Sequence, residues 1–375
     1  KVNDECQRPA VKKQTQWYLK HKSTVRKIAR RAKPYLYFIH RKIREQHLPM
    51  QLIFLPAIES AYDPIAYSGV GAAGLWQFMP GTASGFGIKQ NWWYDGRRDI
   101  VASTNAALDY LSYLNTFFDG DWLLAIAAYD AGEGTVQQAI RANEKQNLAV
   151  DYWSLNLPGE TRDYIPRMLG LACVIKQARH FHLDLPAIAN EPYLVAVDVG
   201  SQIDLQQAAK LANIPLKKLY QLNPGFNRWA TDPNGPFRLI LPIDNAEAFK
   251  LALARYPKSK RVSWHRHQIR SGDTLGHIAH HYGTNIRLIK KINQLKNNNI
   301  RAGKVLLIPH NTKHVNQYIL SHQKKYFNTK NKHPGPRRAD HVVNTHDSLA
   351  SIAKKYGVTI RDLCFWNKLS THTHI

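Results

Sequence analysis

The stretch Leu55-Pro56-Ala57-Ile58-Glu59-Ser60-Ala61-Tyr62-Asp63-Pro64, continued by Ser68-Gly69-Val70-Gly71-Ala72-Ala73-Gly74-Leu75-Trp76-Gln77-Phe78-Met79-Pro80, decides how this chain is read. Its first half is apolar around one carboxylate, Glu59. Its second half is a glycine-rich turn bearing Ser68 and Gln77. An acid that stays protonated near neutral pH needs such surroundings, because lost hydration disfavours the ionised form and raises a carboxyl pKa. A lone Glu-Ser pair is an ordinary feature of a half-exposed helix. The ordered series of carboxylate, glycines and amide is not.

The full string resembles the catalytic domain of the lytic transglycosylases with a goose-lysozyme-like fold, which cleave bacterial peptidoglycan. Trp76 within Gly74-Leu75-Trp76-Gln77 is similar to the membrane-bound lytic murein transglycosylase D branch, where other branches usually carry Met. The resemblance implies an all-α lysozyme-like domain with Glu59 as catalytic acid. It also implies a hydroxyl near the developing charge at Ser68, a sugar-binding amide at Gln77, and a tyrosine facing the glutamate at Tyr164. Tyr164 lies in Glu160-Thr161-Arg162-Asp163-Tyr164-Ile165-Pro166. Tyr129 reads as core-facing with a wet tip. Asp130, in Ala128-Tyr129-Asp130-Ala131-Gly132, stands where the family usually has asparagine. Near the cleft, its charge would raise the pKa of Glu59 or supply a hydrolytic base; pointing into the next turn, it would cap Gly132-Glu133-Gly134. Retuned or reduced activity is expected, not a switch to hydrolysis.

Most glycoside hydrolases use two carboxylates. Only Glu59 has both apolar surroundings and turn-borne partners here. Asp63 reads as a helix-end or turn residue before Pro64, and Asp95 and Asp99 as partners of Arg97 and Arg98. One carboxylate suits an intramolecular reaction: Glu59 protonates the oxygen between N-acetylmuramic acid and N-acetylglucosamine, then acts as base on the muramyl 6-hydroxyl. In the resembled family this leaves a 1,6-anhydromuramyl end. A muramidase using water, or a non-catalytic wall-binding protein, are the other readings. No cofactor is required, and the 18 His show no metal-ligand spacing.

At 375 residues, with 44% hydrophobic and 21% charged residues, the chain has material for two or more folded units. Its 52 Lys+Arg against 27 Asp+Glu give a net charge of +25, which points to a polyanionic partner. Nucleic acid, anionic lipid and peptidoglycan with its stem carboxylates all satisfy that. No nucleic-acid module accompanies the charge, so nucleic acid is not expected as a partner. Three cysteines exclude a disulfide scaffold: Cys173 reads as a small core residue, and Cys6 with Cys364 would pair only if the chain ends met. The numbering starts at Lys1 without Met, as expected if an export signal or membrane anchor lies upstream. The function implies the bacterial envelope, in the periplasm or at the inner face of the outer membrane.

Residues 11 to 47 are basic with helical period, and Tyr35, Phe38, Ile39 and Ile43 form an apolar stripe. The pattern predicts a mostly buried helix to Tyr62 bent at Pro56, and a second after the glycine turn. A third is expected from about Ser103, a fourth over Trp122 to Tyr129, and a last from about Arg162 to Arg179. The all-α domain so defined spans 10–182. Beyond Pro186 an internal repeat appears: Thr274-Leu275…Ile278-Ala279…Tyr282-Gly283…Asn293 matches Ser348-Leu349…Ile352-Ala353…Tyr356-Gly357…Asn367 at an offset of 74. These units resemble LysM modules, small βααβ domains that bind N-acetylglucosamine-containing chains. The fold class is therefore α+β and multidomain. A degenerate unit is assigned to 194–243 as a spacer, a full module to 267–310 with Asp273 as helix cap, a basic linker to 311–340, and an incomplete module to 341–375. Glycan strands of peptidoglycan are the expected partner throughout.

Overall fold

The computed structural model describes residues 5–262, 264–309, 341, 343–344, 347–349 and 351–352. The basic N-terminal segment folds as three helices, α1 (Pro9–Lys20), α2 (Lys22–Ala32) and α3 (Leu36–Glu45). His21 leaves helical geometry between the first two, and Pro34, with no N–H to donate, lies between the next two. Val25, Ile28, Ala32, Ile39 and Ile43 are buried, which leaves the lysines and arginines between them on a solvated face.

The expected continuous bent helix to Tyr62 is instead a 3-10 turn, Met50–Phe54, followed by the short helix α4, Leu55–Ser60. Pro56 occupies the first turn of α4, where its missing N–H costs nothing. Ala61 and Tyr62 then adopt left-handed backbone, and their amides close onto the carbonyls of Ala57 (3.1 Å) and Pro56 (3.0 Å). Glu59 is thereby fixed in the last helical turn. After the glycines no long helix forms. A bridged loop pairs Tyr67 with Ala73 and Ala73 with Phe78, and only α5 (Pro80–Gly85) follows. Positive φ at Gly71, Gly74 and Gln77 rules out helix there.

The domain is completed by α6 (Ile100–Phe117), α7 (Trp122–Ala131), α8 (Glu133–Glu144) and α9 (Gly159–Lys176). Asp99 caps α6 by accepting from the amides of Val101 (2.9 Å) and Ala102 (2.8 Å), so α6 begins ahead of Ser103. Asp121 caps α7 in the same way. Helix α1 lies along α9 at close range: a Cβ on Gly170 would approach the Gln14 Cβ to 2.9 Å. One expectation is overturned here. Cys173 is not a free core thiol but is disulfide-bonded to Cys6, with Cα atoms 6.1 Å apart. The packing of α1 on α9 brings these distant residues together, which no local pattern encodes.

The next unit carries strands β1 (Leu194–Asp198) and β2 (Arg238–Pro242), antiparallel with Val195 opposite Leu241, and helices α10 (Leu205–Leu211) and α11 (Leu216–Leu222) between them. A further helix, α12 (Ile243–Arg255), packs Ala246, Phe249 and Leu253 into its core. The unit is docked and not a free spacer. Asp99 pairs with Arg238 at 2.8 Å and Lys89 with Asp232 at 3.0 Å. The amide of Asp95 donates to Gly225 and that of Asn227 to Trp93. Because these contacts come from loops 89–99 and 225–238, periodicity does not announce them.

The following module has the βααβ order β3 (Trp264–Gln268), α13 (Leu275–His281), α14 (Ile286–Ile292) and β4 (Val305–Pro309), with β3 and β4 antiparallel. Its first helix is capped by Thr274, not Asp273: the Thr274 hydroxyl accepts from the His277 amide at 3.1 Å. Asp273 instead pairs with His267 at 2.9 Å and accepts from the Arg270 amide. The same triangle recurs 74 residues later in His341, Asn344 and Asp347. Linker 311–340 and most of 341–375 lie outside the described residues.

Candidate active site

Glu59 is half-buried in the last turn of α4. The Tyr164 hydroxyl, reaching across from α9, donates to its Oε1. Burial pushes the Glu59 carboxyl up to about 8, against the opposing effect of the Tyr164 hydrogen bond, and the charges of Asp130 and Glu160 push the same way as burial. At neutral pH this carboxyl therefore holds its proton. With Oε1 occupied by Tyr164, Oε2 is the oxygen free to carry it.

Tyr164 is 4% exposed, and its position is set by the first half of α9. Pro166 inside that helix has no N–H for the carbonyl of Arg162. The hydroxyl of Tyr152 compensates, lying 2.9 Å from that carbonyl and 3.0 Å from that of Thr161. A proline that would weaken the helix is thus braced two residues beyond the tyrosine that meets Glu59.

The glycine turn is held by an arginine. Arg97 donates to the carbonyls of Gly71 (2.7 Å) and Phe78 (3.2 Å), to the Tyr67 hydroxyl (2.8 Å), and through two nitrogens to Asp95. Burial works against ionisation of Asp95, but the hydrogen bonds and charges of Arg97 and Arg98 hold its pKa below the usual value. Gly74 lies directly over this anchor: its φ is +84°, and a Cβ there would come within 1.9 Å of the Arg97 carbonyl oxygen. Trp76, fully buried, donates to Thr104 of α6 at 3.0 Å. Ser60 donates to the Leu75 carbonyl at 2.9 Å, tying α4 to the turn one residue after the carboxylate.

Ser68 accepts from the Ala72 amide at 2.9 Å, which leaves its hydroxyl hydrogen available to a ligand. Gln77 commits its amide nitrogen to the carbonyls of Gly74 (2.8 Å) and Ala66 (3.3 Å), so its oxygen is the end presented. The Tyr129 hydroxyl is not a wet tip; it donates to the Trp76 carbonyl at 2.8 Å. Its ring lies 5.4 Å from Tyr110 and 6.3 Å from Phe78. Asp130 is close enough to Glu59 to raise its pKa, and accepts a hydrogen bond from Thr161. Burial raises the pKa of Asp130 itself; the Thr161 hydrogen bond opposes it, the charge of Glu160 adds to it, and that of Arg167 opposes it.

Of the carboxylates expected to be structural, Asp63 pairs with Arg31 at 3.1 Å. Asp95 meets Arg97 as read from the sequence, whereas Asp99 turns to Arg238. Thr161, Tyr152 and Thr104 carry no functional signal of their own in the sequence. Each is a common residue type whose role is defined by a partner far along the chain, and only the cluster of polar residues around Tyr164 hinted at the first.

The transglycosylase SLT domain family matches residues 36–151, the LysM-like domain of lytic transglycosylase MltD matches 193–258, and the LysM domain matches 267–309 and 341–375. Membrane-bound lytic murein transglycosylase D of Escherichia coli K12 is 36% identical over 371 residues, covering 95% of this chain and 78% of that protein. A putative tributyltin chloride resistance protein of an Alteromonas species is 35% identical over 188 residues, 50% of this chain and 89% of that one. The solved lytic transglycosylase Slt of Pseudomonas aeruginosa is 31% identical, with a TM-score of 0.32 over 38% of this chain and 24% of that one. With the helical domain, the docked LysM-like unit and the βααβ modules all matched in order, this chain belongs to the membrane-bound lytic murein transglycosylase D family of peptidoglycan-cleaving enzymes.

Proposed function

We propose that this lytic murein transglycosylase cuts the β-1,4 bond between N-acetylmuramic acid and N-acetylglucosamine with Glu59 as its single acid and base, leaving 1,6-anhydromuramyl ends. What carries this reading is the Glu59 carboxyl, its pKa pushed up by burial to about 8, and the Tyr164 hydroxyl that donates to it. Glu59 gives its proton to the bridging oxygen as the bond to the muramyl anomeric carbon breaks. The resulting carboxylate takes the proton of the muramyl 6-hydroxyl, whose oxygen closes onto the same carbon. The proton lost in the first step returns in the second, and no water is consumed. Because the nucleophile is part of the substrate, proximity supplies what a second carboxylate would otherwise do.

In this reading Ser68 donates toward the charge developing on the sugar, Gln77 presents its amide oxygen to a sugar hydroxyl, and Tyr129 fixes the turn that carries Gln77. Tyr164 positions Glu59, and Asp130 keeps its proton on. Asp130 also favours one alternative: a second carboxylate close to Glu59 is what an inverting muramidase uses to activate water. Mass spectrometry of digested murein separates the two. Anhydromuramyl ends are expected, whereas reducing muramyl ends would replace the transglycosylase reading with hydrolysis.

The Cys6–Cys173 disulfide supports a periplasmic or outer-membrane-facing location, since such bonds persist in oxidising compartments. An anchor upstream of Lys1 would tie the enzyme to that membrane. The LysM modules would hold N-acetylglucosamine-containing strands while the helical domain cuts.

A further inference from the structure

Three parts of the chain meet at Trp92. The indole comes from the loop that docks the LysM-like unit, and it remains half-exposed. Arg228, from the LysM-like unit, places its guanidinium 4.1 Å from the centre of the Trp92 ring. Lys291, from α14 of the next module, brings its ammonium to 5.2 Å from the same ring. Arg287, one helical turn before Lys291, is near enough to act on both cations. Around them Trp93 and Trp229 pack against Trp92 with centroids 4.7 Å and 6.1 Å away.

Arg287 and Lys291, like charges one helical turn apart on α14, repel one another beside the Trp92 ring. Burial and then the charge of Arg287 push Arg228 down to about 10; burial, Arg228 and Arg287 push Lys291 down. A carboxylate beside Arg287 and Lys291 would offset that repulsion. Arg287 and Lys291 are solvent-exposed and so accessible to one.

We propose that the junction of Trp92, Arg228, Arg287 and Lys291 binds the carboxylates of the peptide stems that hang from a peptidoglycan strand. The site would hold the strand where the catalytic part, the LysM-like unit and the first full LysM module converge. It gives the strongly basic chain one place at which charge does specific work. The proposal rests on the peptidoglycan reading above for the identity of the strand.

The test uses the full chain carrying Glu59→Gln, so that strands bind without being cut. Its affinity is measured at physiological salt for soluble glycan strands bearing stems, and for the same strands after an amidase has removed them. Adding Arg287→Gln and Lys291→Gln is expected to weaken stem-bearing strands about fivefold, each exposed charge contributing a modest share. Stem-free strands should bind as before. A control, Lys12→Gln with Lys13→Gln, removes the same charge from exposed positions on α1 and should change neither affinity.

An equal loss with stem-free strands, or the same loss in the control, overturns the proposal. So does an unchanged affinity for stem-bearing strands. If the double variant instead loses binding to phosphatidylglycerol vesicles and keeps its strand affinity, the site is for lipid phosphate and the proposal is wrong. Should the Glu59→Gln parent bind neither strand, the peptidoglycan reading itself fails, an outcome distinct from a selective null in the double variant.

Discussion

Glu59→Gln should make the helical domain more stable, and increasingly so as the pH rises. Glutamine retains an oxygen to accept from Tyr164 and cannot ionise, so the comparison isolates the charge. The folded-state carboxyl sits at about 8 against an ordinary 4.5. A raised carboxyl pKa means the fold prefers the protonated form: below pH 4.5 both states hold the proton and the charge has no effect. Between 4.5 and 8 the unfolded chain ionises while the native one does not, so wild-type stability falls; above 8 the difference is constant. Each pH unit in that interval is worth about 1.4 kcal/mol, which at pH 7 sets a ceiling of about 3 kcal/mol. Partial exposure of Glu59 reduces this to about 1–2 kcal/mol. For a domain of this size that is about 3–6 °C in melting temperature. The assay is thermal unfolding of the full chain by circular dichroism from pH 4.5 to 8.5, following the helical transition. Curves that coincide at pH 4.5 and separate toward pH 8 are expected. A difference independent of pH, or a variant that melts lower at pH 8, would refute the account of Glu59 as a neutral, desolvated acid.

The pH dependence of kcat/KM for strand cleavage should fall through the Glu59 pKa on the alkaline side. Tyr164→Phe removes a hydrogen bond that favours the carboxylate and should move that limb to higher pH while lowering turnover; Asp130→Asn removes a repelling charge and should move it to lower pH. Limbs shifting in the opposite directions would contradict the assigned contacts. Gly74→Ala forces a Cβ onto the Arg97 carbonyl at a left-handed φ, and should cost about 3 kcal/mol or more, read as a lowered denaturation midpoint; a neutral effect would show that the turn is not clamped as described. Reduction of Cys6–Cys173, or the paired Cys→Ser variant, should destabilise the helical domain by about 2–4 kcal/mol in urea unfolding.

The residues that announce the chemistry were legible because they are local. Glu59, the glycines and Gln77 fall within one short stretch whose order carries the resemblance, and Tyr164, in another stretch, stands out only through that resemblance. The repeat at an offset of 74 was legible for the same reason: each module is a closed unit whose apolar positions recur. The sequence points to a bend at Pro56, but the 3-10 segment before it places this proline in the first turn of a new helix. Asp273 stands where a helix cap is expected, but its loop brings it to His267.

The amino-acid order by itself determined the helical domain, the run of LysM units behind it and the one carboxylate in apolar surroundings, since each depends on contacts between near neighbours in the chain. Only the tertiary structure decided that Asp130 bears on the charge of Glu59, that Cys6 reaches Cys173, and that the degenerate unit is fastened to loop 89–99. Those pairings join residues up to 167 positions apart. They come from how helices and loops pack, and packing is decided by the complementarity of whole surfaces, which no periodicity along a single segment records.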